Sequence, residues 1–347
     1  MSKRYLGRLC ALTMVAGLVA AGCGGSSDSG STGGSGGAGG SSAKKLRVAI
    51  VPKVIGIPYY AAVEKGVKEA DAELSDVDVI WTGAKTDQAD AQVQVIQNLI
   101  NSKVDAIAVA ANDPAAIAPV LKQAEARGIK VMSWDGDADV RDIFVQLVDP
   151  SAFGAELADQ MAKQVGTTGE VAVVTSTFTA PNQKAWLAGI KKQIAAKYPG
   201  LKIVTTVQSQ EDQQLAFKVT KDILKSHPNV KGIFAITTVA LPGAAQAVKS
   251  LGKVGKVAVV GNSTPNAIRQ YFKDGTLKSA VLWNPLDHGY LAVYTARQLA
   301  QGGVKQGQTF KAGRLGSYTP QTDDKSLKIT LSPPLVFTKA NIAKFDF

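Results

Sequence analysis

The sequence is poor in the residues that most often hold metal ions or act as catalytic bases and nucleophiles. Of its 347 residues only two are cysteines, Cys10 and Cys23, and only two are histidines, His227 and His288. Both cysteines lie near the amino terminus, so the rest of the chain can form neither an internal disulfide nor a cysteine-based zinc site. A His-rich zinc enzyme is close to excluded, and a Ser-His-Asp arrangement would depend on one of two histidines. We therefore expect no metal, no cofactor and no catalytic residue.

Aromatic residues make up only 6% of the chain and charged residues 19%, while 45% are hydrophobic and 34 are glycines. This composition is typical of a globular protein rather than of a fibrous or disordered one. A chain of this length is too long for one small core, so length alone favours about two domains. The formal net charge is +11 at pH 7, of which three positive charges lie in the first 22 residues. The remaining basic surplus is moderate.

The amino terminus has the pattern of an export signal. Three basic residues precede an apolar run over residues 9–21, which is too short to span a bilayer comfortably. The run ends in Leu-Val-Ala-Ala-Gly-Cys, which resembles a bacterial lipobox with Cys23 as the lipid-bearing residue. An ordinary signal peptide with a chance cysteine is the alternative. We predict a lipoprotein signal peptide over residues 1–22 and lipidation of Cys23.

A low-complexity segment follows the predicted signal. Residues 24–43 consist of glycine and serine with isolated Ala, Thr and Asp. About twenty such residues form a flexible tether with an r.m.s. reach of roughly 25 Å. We predict that residues 23–43, the lipidated cysteine and this tether, hold the folded part just off a membrane.

From Lys45 onward, buried-strand patterns alternate with helical spacing, and the alternation occurs twice. In the first half the predicted strands are 46–51, 76–81, 106–110 and 130–134, and the predicted helices are 59–73, 87–102 and 114–127. In the second half the predicted strands are 170–176, 202–207, 232–236 and 256–261, and the predicted helices are 182–198, 213–226 and 240–251. The pattern predicts an α/β fold with two doubly wound, Rossmann-like lobes.

Polar residues follow several of the predicted strands. In open parallel sheets ligands bind beyond the carboxyl ends of the strands, so the residues at these ends should gather where the lobes face each other. They are Lys53, Asn112, Asp135, Thr179, Thr237 and Asn262. The cleft between the lobes is the candidate site.

Several motifs carry a resemblance to a known family. The lipobox, the tether and the paired lobes together resemble a type I periplasmic sugar-binding protein of an ABC importer, over about residues 45–347. Six motifs look most like the rhamnose and autoinducer-2 receptor branch of that family: VPKVIG at 51–56, SWDGD at 133–137, ALP at 240–242, GNSTPN at 261–266, LWN at 282–284 and VFTKANI at 336–342.

The resemblance implies an architecture and a function. The first lobe would comprise residues 44–147 plus 285–331, the second residues 148–284 plus 332–347, and three chain crossings would form the hinge. Such a protein closes over its ligand and breaks no bond. The expected ligand is a small sugar, deoxysugar, polyol or autoinducer-2-like molecule, delivered to an ABC permease. The expected location is extracytoplasmic, with a lipid anchor in the cell membrane and no role for nucleic acid.

The chemistry of sugars favours particular residues in the first half. A carboxylate accepts hydrogen bonds from neighbouring hydroxyls, cations and amides donate to them, and aromatic rings cover the less polar face. Asp135 directly follows strand 130–134 and is expected to contact the ligand, although a turn or helix-capping aspartate is the alternative. Asp137, in the loop beyond, is a second candidate. Lys53 could be a plain surface lysine, but the autoinducer-2 receptors carry a ligand-contacting lysine in this motif.

The resemblance also assigns ligand contacts in the second half. The loop 177–186 matches a stretch in which autoinducer-2 receptors carry an Asp-Gln pair, and here the pair is Asn182 and Gln183. An amide thus replaces an anionic acceptor, which puts autoinducer-2 itself in doubt, and Asn182 could instead cap the following helix. Thr237 and Thr238 stand where many sugar-binding relatives carry Asn and Asp.

The remaining candidates are one amide after a strand and four residues near the expected hinge or helix start. Asn262 stands where relatives often carry an acidic ligand residue. Trp283 and Asn284 are expected at the hinge and cleft mouth, with a core tryptophan as the alternative. Tyr59 and Tyr60 are expected to form an aromatic wall, although core packing of at least one is favoured. The tryptophans expected near the cleft are Trp134, Trp186 and Trp283.

Two other classes of protein share some of these features. A LacI-like regulator has the same two-lobed core, and a basic chain could bind DNA, but it would need a helix-turn-helix where this chain has a lipobox and tether. An exported carbohydrate-active enzyme is the second alternative, since paired carboxylates cannot be recognised from sequence, although no catalytic motif stands out. A sensing receptor in place of a transport component is also compatible with the sequence.

Overall fold

The computed structural model describes residues 44–347 of the chain. The predicted signal peptide, Cys23 and the tether lie outside the described residues. No helix within the described part is long and apolar enough to cross a membrane.

Strands and helices alternate along most of the described chain. In chain order they are β1 (Leu46–Val51), α1 (Pro58–Glu73), β2 (Val77–Trp81), α2 (Ala89–Asn101), β3 (Ala106–Val109), α3 (Pro114–Ala126), β4 (Lys130–Trp134), β5 (Ile143–Gln146), α4 (Pro150–Val165), β6 (Thr168–Thr175), α5 (Pro181–Lys197), β7 (Gly200–Gln208), α6 (Gln213–Ser226), β8 (Val230–Ala235), α7 (Ala240–Ser250), β9 (Ala258–Gly261), α8 (Pro265–Lys273), β10 (Ser279–Leu282), α9 (Pro285–Ala300), β11 (Phe310–Lys311), β12 (Ser317–Tyr318), β13 (Gln321–Thr322), β14 (Leu327–Thr330) and β15 (Leu335–Thr338).

The strands form two main sheets. The first sheet has the order β13-β14-β5-β4-β3-β1-β2, and all its pairings are parallel except that of β13 with β14. The second sheet has the order β7-β6-β8-β9, with every pairing parallel. Strand β3, in the middle of the first sheet, is buried along its whole length, as expected where helices cover both faces of a sheet.

Both sheets are doubly wound, and this fixes where a ligand can bind. The strand order reverses direction between β1 and β3 in the first sheet and between β6 and β8 in the second. At such a switch point the loops diverge and leave a crevice beyond the carboxyl ends of the strands. The predicted α/β class with two doubly wound parallel sheets is confirmed.

Most of the described helices that follow strands share one sequence signal. Six of those described begin with a proline, whose fixed φ suits the first helical turn and whose missing N–H costs no bond there. These prolines are Pro58, Pro114, Pro150, Pro181, Pro265 and Pro285. Each of these helices starts just beyond the carboxyl end of a strand, so the prolines keep the loops at the site edge short.

The chain passes three times between the regions of the two sheets. It leaves the first sheet after β5, returns after β10 to helix α9, which packs on α1 and on strands of the first sheet, and leaves again after β14. Strand β15 then pairs antiparallel with β10. The residue boundaries expected for two lobes stay a prediction.

Candidate functional site

A narrow cavity lies between the carboxyl edges of the two sheets, and we call it the inner cavity. Its lining comes from both sheets and from the crossing after β10: Lys53, Ile57, Tyr59, Tyr60, Asp135, Asn182, Gln183, Trp186, Glu211, Thr237, Thr238, Asn262 and Trp283. Ten of the residues predicted to bind a ligand are among them; that they bind one stays a prediction.

A chain of hydrogen bonds crosses the inner cavity from one sheet to the other. The Lys53 ammonium, after β1, donates to Asn182 Oδ1 at 2.7 Å, and Asn182 Nδ2 donates to Asp135 Oδ1 at 2.6 Å. Asp135 Oδ2 accepts from the Tyr60 hydroxyl at 2.8 Å. Asn182 does not cap α5, whose N-cap residue is Ala180. The side chains predicted to bind a ligand therefore form hydrogen bonds with one another across the cleft.

The backbone around Asp135 is shaped to aim this carboxyl group into the cleft. Asp135 has φ of +58°, in the left-handed region that non-glycine residues seldom adopt. A Cβ at the next residue, Gly136, would lie 2.5 Å from the carbonyl oxygen of Ala111 and 2.8 Å from Lys53 Cε. Only glycine fits at this point, because the turn passes directly against the backbone carbonyl of Ala111 as well as the lysine side chain.

The loop that carries Lys53 is held from behind by two buried amide side chains. Asn112 Nδ2 donates to the carbonyl oxygen of Lys53 at 2.8 Å, and Gln92 Nε2 donates to that of Pro52 at 3.4 Å. Asn112 thus supports the site rather than lining the inner cavity. Lys53 itself is only 3% exposed, so it is not a surface lysine.

Burial sets the protonation of several groups in the inner cavity. It raises the pKa of Asp135, and the Glu211 carboxylate adds to that rise, whereas the Lys53 ammonium and the Tyr60 hydrogen bond oppose it. Burial, together with the charge of Asp135, also raises the pKa of Tyr59 and of Tyr60 well above the ordinary value. Both phenols therefore stay protonated and can donate hydrogen bonds.

Aromatic rings form one wall of the inner cavity. Tyr59 and Tyr60, at the start of α1, have ring centroids 4.9 Å apart, and Tyr59 lies 5.9 Å from Trp283. Trp283 continues to Trp186 of α5 at 5.5 Å and to Phe153 of α4 at 5.5 Å, so the wall spans both sheets. Trp283 Nε1 donates to the Tyr59 hydroxyl at 2.9 Å. Both tyrosines and Trp283 are at once core residues and lining residues.

The second sheet contributes a polar network to the opposite wall. Gln183 Nε2 donates to Glu211 Oε1 at 3.1 Å, and the Thr237 hydroxyl donates to Glu211 Oε2 at 2.6 Å. Asn262 follows β9 and is 2% exposed, and its Oδ1 has no hydrogen-bond partner among the described residues. An acceptor buried at the cavity without a partner is costly unless a ligand or water donates to it.

The structure places three expected residues elsewhere. Asp137 lies outside the inner cavity: its Oδ1 accepts from Arg141 Nε and from the Ser133 hydroxyl, each at 2.6 Å. Asn284 caps α9, because its Oδ1 accepts from the Leu286 N–H at 3.0 Å. Thr179 is exposed in the loop before α5.

Trp134 does not line the inner cavity either. It is fully buried behind Tyr60, with ring centroids 6.0 Å apart, and its Nε1 donates to the carbonyl oxygen of Ala108. Its side chain supports the aromatic wall from the core.

Two polar or aromatic residues of the inner cavity were missed as ligand contacts. Glu211 lies in the polar loop between β7 and α6, where no glycine marks its left-handed backbone, so the sequence carries no local signal for it. Trp186 follows Gln183 by three residues on α5, and this helical spacing could have placed it on the same face.

An α/β protein with two parallel sheets whose strand ends enclose one polar and aromatic cavity is built to bind a small ligand between them. No group of His, Cys, Asp or Glu within residues 44–347 has the arrangement of a metal site. Residues 48–303 match the family described as a periplasmic binding protein domain. The chain belongs to this family.

Individual relatives agree with this assignment. A D-ribose/D-allose-binding protein of Pseudomonas aeruginosa is 29% identical over 269 residues, which cover 75% of this chain and 83% of that protein. A solved ABC transporter solute-binding protein of Clostridium phytofermentas with bound L-rhamnose is 30% identical, with a TM-score of 0.83 over 87% of this chain and 98% of its own. LsrB from Clostridium saccharobutylicum in complex with AI-2 is 27% identical, with a TM-score of 0.83 over 87% of this chain and 100% of its own.

These matches decide two predictions made from the sequence. The resemblance to type I periplasmic binding proteins, including rhamnose and AI-2 receptors, is confirmed. The relatives are binding proteins of transport systems rather than enzymes, so the prediction that the chain is a binding protein is confirmed as well.

Proposed function

We propose that the protein binds a small neutral sugar, deoxysugar or polyol in the inner cavity and delivers it to the permease of an ABC transporter. The observation that carries the proposal is the lining itself, in which carboxyl, ammonium, amide and hydroxyl groups face one another beside an aromatic wall. Relatives bind D-ribose or D-allose, L-rhamnose and AI-2. Sugars match these donors and acceptors and offer an apolar face to the rings.

The ligand would take over bonds that the protein makes with itself. Lys53, Asn182 and Asp135 are joined across the cleft by two short hydrogen bonds. Vicinal hydroxyls entering between them can accept from the lysine and donate to the carboxylate, which preserves the number of hydrogen bonds. Because Asn182 replaces the aspartate of the autoinducer-2 receptors, we favour a sugar over autoinducer-2.

Closure of two lobes would complete the mechanism. We place the first lobe at residues 44–147 plus 285–331 and the second at residues 148–284 plus 332–347, with the three chain crossings as the hinge. The open state would present a ligand with the contacts of one sheet, and the closed state with those of both. Differential contact stabilises the closed form, and no covalent bond changes.

Identification of the bound molecule tests this function. Mass spectrometry of small molecules released from the purified protein should reveal a neutral sugar or polyol. In a thermal-shift panel of monosaccharides and polyols, that compound should raise the melting temperature, since ligand at a hundred times Kd adds about 2.7 kcal/mol. If no sugar or polyol stabilises the protein, the proposal fails. Conversion of glycosides to products would instead identify an enzyme.

Tryptophan fluorescence should report ligand binding through the aromatic wall. Trp283 lines the inner cavity, whereas Trp81 of β2 does not. Trp283→Phe is expected to lose part of the ligand-induced change in emission, with the rest arising from Trp186 in the same lining, and Trp81→Phe, the matched control, is expected to keep all of it. A Trp283→Phe protein that retains the full signal and full affinity would remove Trp283 from the site.

We further propose that Cys23 is lipidated and anchors the protein to the outer face of the cell membrane, with residues 24–43 as the tether. This proposal rests on the basic and apolar leader and on the Leu-Val-Ala-Ala-Gly-Cys sequence. An anchored receptor stays near its permease, which suits delivery of a captured ligand.

Replacing the anchoring cysteine should release the protein. Cys23→Ala is expected to lose acyl labelling and to move into the soluble or secreted fraction, because a diacylated cysteine supplies two chains of apolar burial. Cys10→Ala, inside the predicted signal, is the matched control and should remain anchored. Retention of Cys23→Ala on membranes after a salt wash would contradict lipid anchoring.

A further inference from the structure

Glu211 stands at the boundary between the inner cavity and a wider recess. The recess has a volume of about 600 Å³ and is lined by the loop after β1, the segment before α2 and the start of α6. Glu211 and Ile57 line both spaces. A molecule that enters the inner cavity from the recess must pass this carboxylate.

The backbone at this point is strained. Gln210 and Glu211 have φ of +51° and +50°, so two successive non-glycine residues adopt the left-handed region. Such conformations cost free energy and are concentrated at functional sites. Two backbone hydrogen bonds hold the loop. The Gln210 N–H donates to the carbonyl oxygen of Ser176 at 3.0 Å, and the Asp212 N–H donates to that of Ser209 at 2.8 Å. The strain directs Glu211, not its neighbours, to the inner cavity.

Only uncharged donors hold the Glu211 carboxylate among the described residues. Gln183 donates to one of its oxygens and Thr237 donates to the other, and both of these residues are almost fully buried. The one ammonium of the inner cavity, on Lys53, bonds to Asn182 and offsets the charge of Asp135. Among the described residues that line the inner cavity, two carboxyl groups therefore face one ammonium group. In the recess, Lys85 and Lys218 lie with three carboxyl groups, those of Asp87, Glu211 and Asp212, so acidic groups outnumber the lysines on both sides of Glu211.

We propose that Glu211 is a ligand-binding residue that makes the site select neutral sugars and reject sugar acids and sugar phosphates. This inference rests on the proposed function. A neutral hydroxyl can donate to Glu211, whereas a carboxylate or phosphate cannot and is repelled in the enclosed cavity. Like charges brought together at a buried contact weaken binding by at least about 100-fold.

Glu211 also accounts for a feature of the sequence. On the side of the second sheet, the lining has amides at Asn182 and Asn262. Glu211 supplies an anionic acceptor from a different loop, so the second sheet keeps one carboxylate in the lining.

The test compares neutral sugars with their anionic counterparts. The probes are D-galactose with D-galacturonate, D-glucose with D-glucuronate and D-ribose with D-ribose 5-phosphate, together with the neutral sugars of the thermal-shift panel. Affinities are measured by calorimetry for the unaltered protein, for Glu211→Gln and for Asp212→Asn. Asp212 is the matched control: it lies next in the same loop, outside the inner cavity, and asparagine can also cap α6.

The unaltered protein should bind neutral sugars at least about 100-fold more tightly than the anionic ones. Glu211→Gln should lower this ratio by roughly tenfold, and Asp212→Asn should leave it unchanged. Equal affinity of the unaltered protein for neutral and anionic sugars, or an unchanged ratio in Glu211→Gln, would overturn the role of Glu211 while leaving the proposed function standing. Absence of binding to every sugar would overturn both.

Discussion

Asp135→Asn is expected to bind the sugar identified for the protein about 10 to 150 times more weakly. The buried carboxylate accepts from Tyr60 and Asn182 in the ligand-free protein and can accept from two sugar hydroxyls when a ligand replaces Asn182. Hydrogen bonds to a charged group contribute about 1.5–3 kcal/mol each, which corresponds to this loss. Asparagine keeps the shape of the side chain but not its charge. Calorimetric titration measures the change.

Stability of the ligand-free variant separates binding from folding. The native pKa of Asp135 is raised by burial, so the native state holds its proton more strongly than the unfolded state. The resulting stabilisation is fully present below the ordinary pKa of 3.8 and is lost as pH rises through the raised native value. Asp135→Asn should therefore lose less stability between pH 4 and pH 7 in denaturant titrations. If the affinity of Asp135→Asn is unchanged, Asp135 serves only the turn and does not bind the sugar. If the ligand-free variant has a much lower melting temperature at pH 7, the role of Asp135 is structural.

Asn262→Leu is expected to move affinity and stability in opposite directions. Its Oδ1 is buried without a partner among the described residues, and such an acceptor costs about 1–3 kcal/mol. Leucine has a similar size and no polar atom, so the ligand-free protein should be as stable as the parent or up to about 1–3 kcal/mol more stable.

The same replacement should weaken sugar binding by roughly 5- to 150-fold, because a ligand hydroxyl would be left buried without an acceptor. Thr238→Val, at a half-buried lining position, is a control for the loss of one polar group from the same wall. Its ligand-free stability should stay close to that of the parent. An Asn262→Leu protein that is less stable and binds sugar normally would show that the amide has a structural partner instead.

Much of the inner cavity can be predicted from the positions of polar residues at strand ends. Lys53, Asp135, Thr237 and Asn262 each follow a strand of a parallel sheet, and the carboxyl ends of such strands necessarily meet at one edge. The fold class could be predicted from the alternation of buried runs with helical spacing. The side-chain periods of strands and helices are properties of local geometry, so they are visible in the sequence. Strand β5 was not predicted, because it follows β4 with no helix between them and so departs from the alternation of strands and helices.

The residues placed wrongly or missed depend on contacts that spacing does not encode. Asp137 has the same motif and nearly the same position as Asp135, but Arg141 and Ser133 bind it away from the inner cavity. Asn284 is at the expected crossing, yet its side chain caps α9. Glu211 reaches the inner cavity because its backbone is left-handed, and no glycine in the sequence indicates that conformation there. In each case the role of the residue depends on a long-range contact or on the backbone conformation, and not on the residue type.

A crystal structure of the protein with the identified sugar would show whether the inner cavity is the binding site. We expect one sugar in the inner cavity, with hydroxyl oxygens within about 3.2 Å of Lys53 Nζ, Asp135 and Asn262 Oδ1 and with a ring face against the aromatic wall. The bonds from Lys53 to Asn182 and from Asn182 to Asp135 should be replaced by bonds to the sugar. A sugar bound elsewhere, or these two bonds intact in the complex, would contradict this expectation.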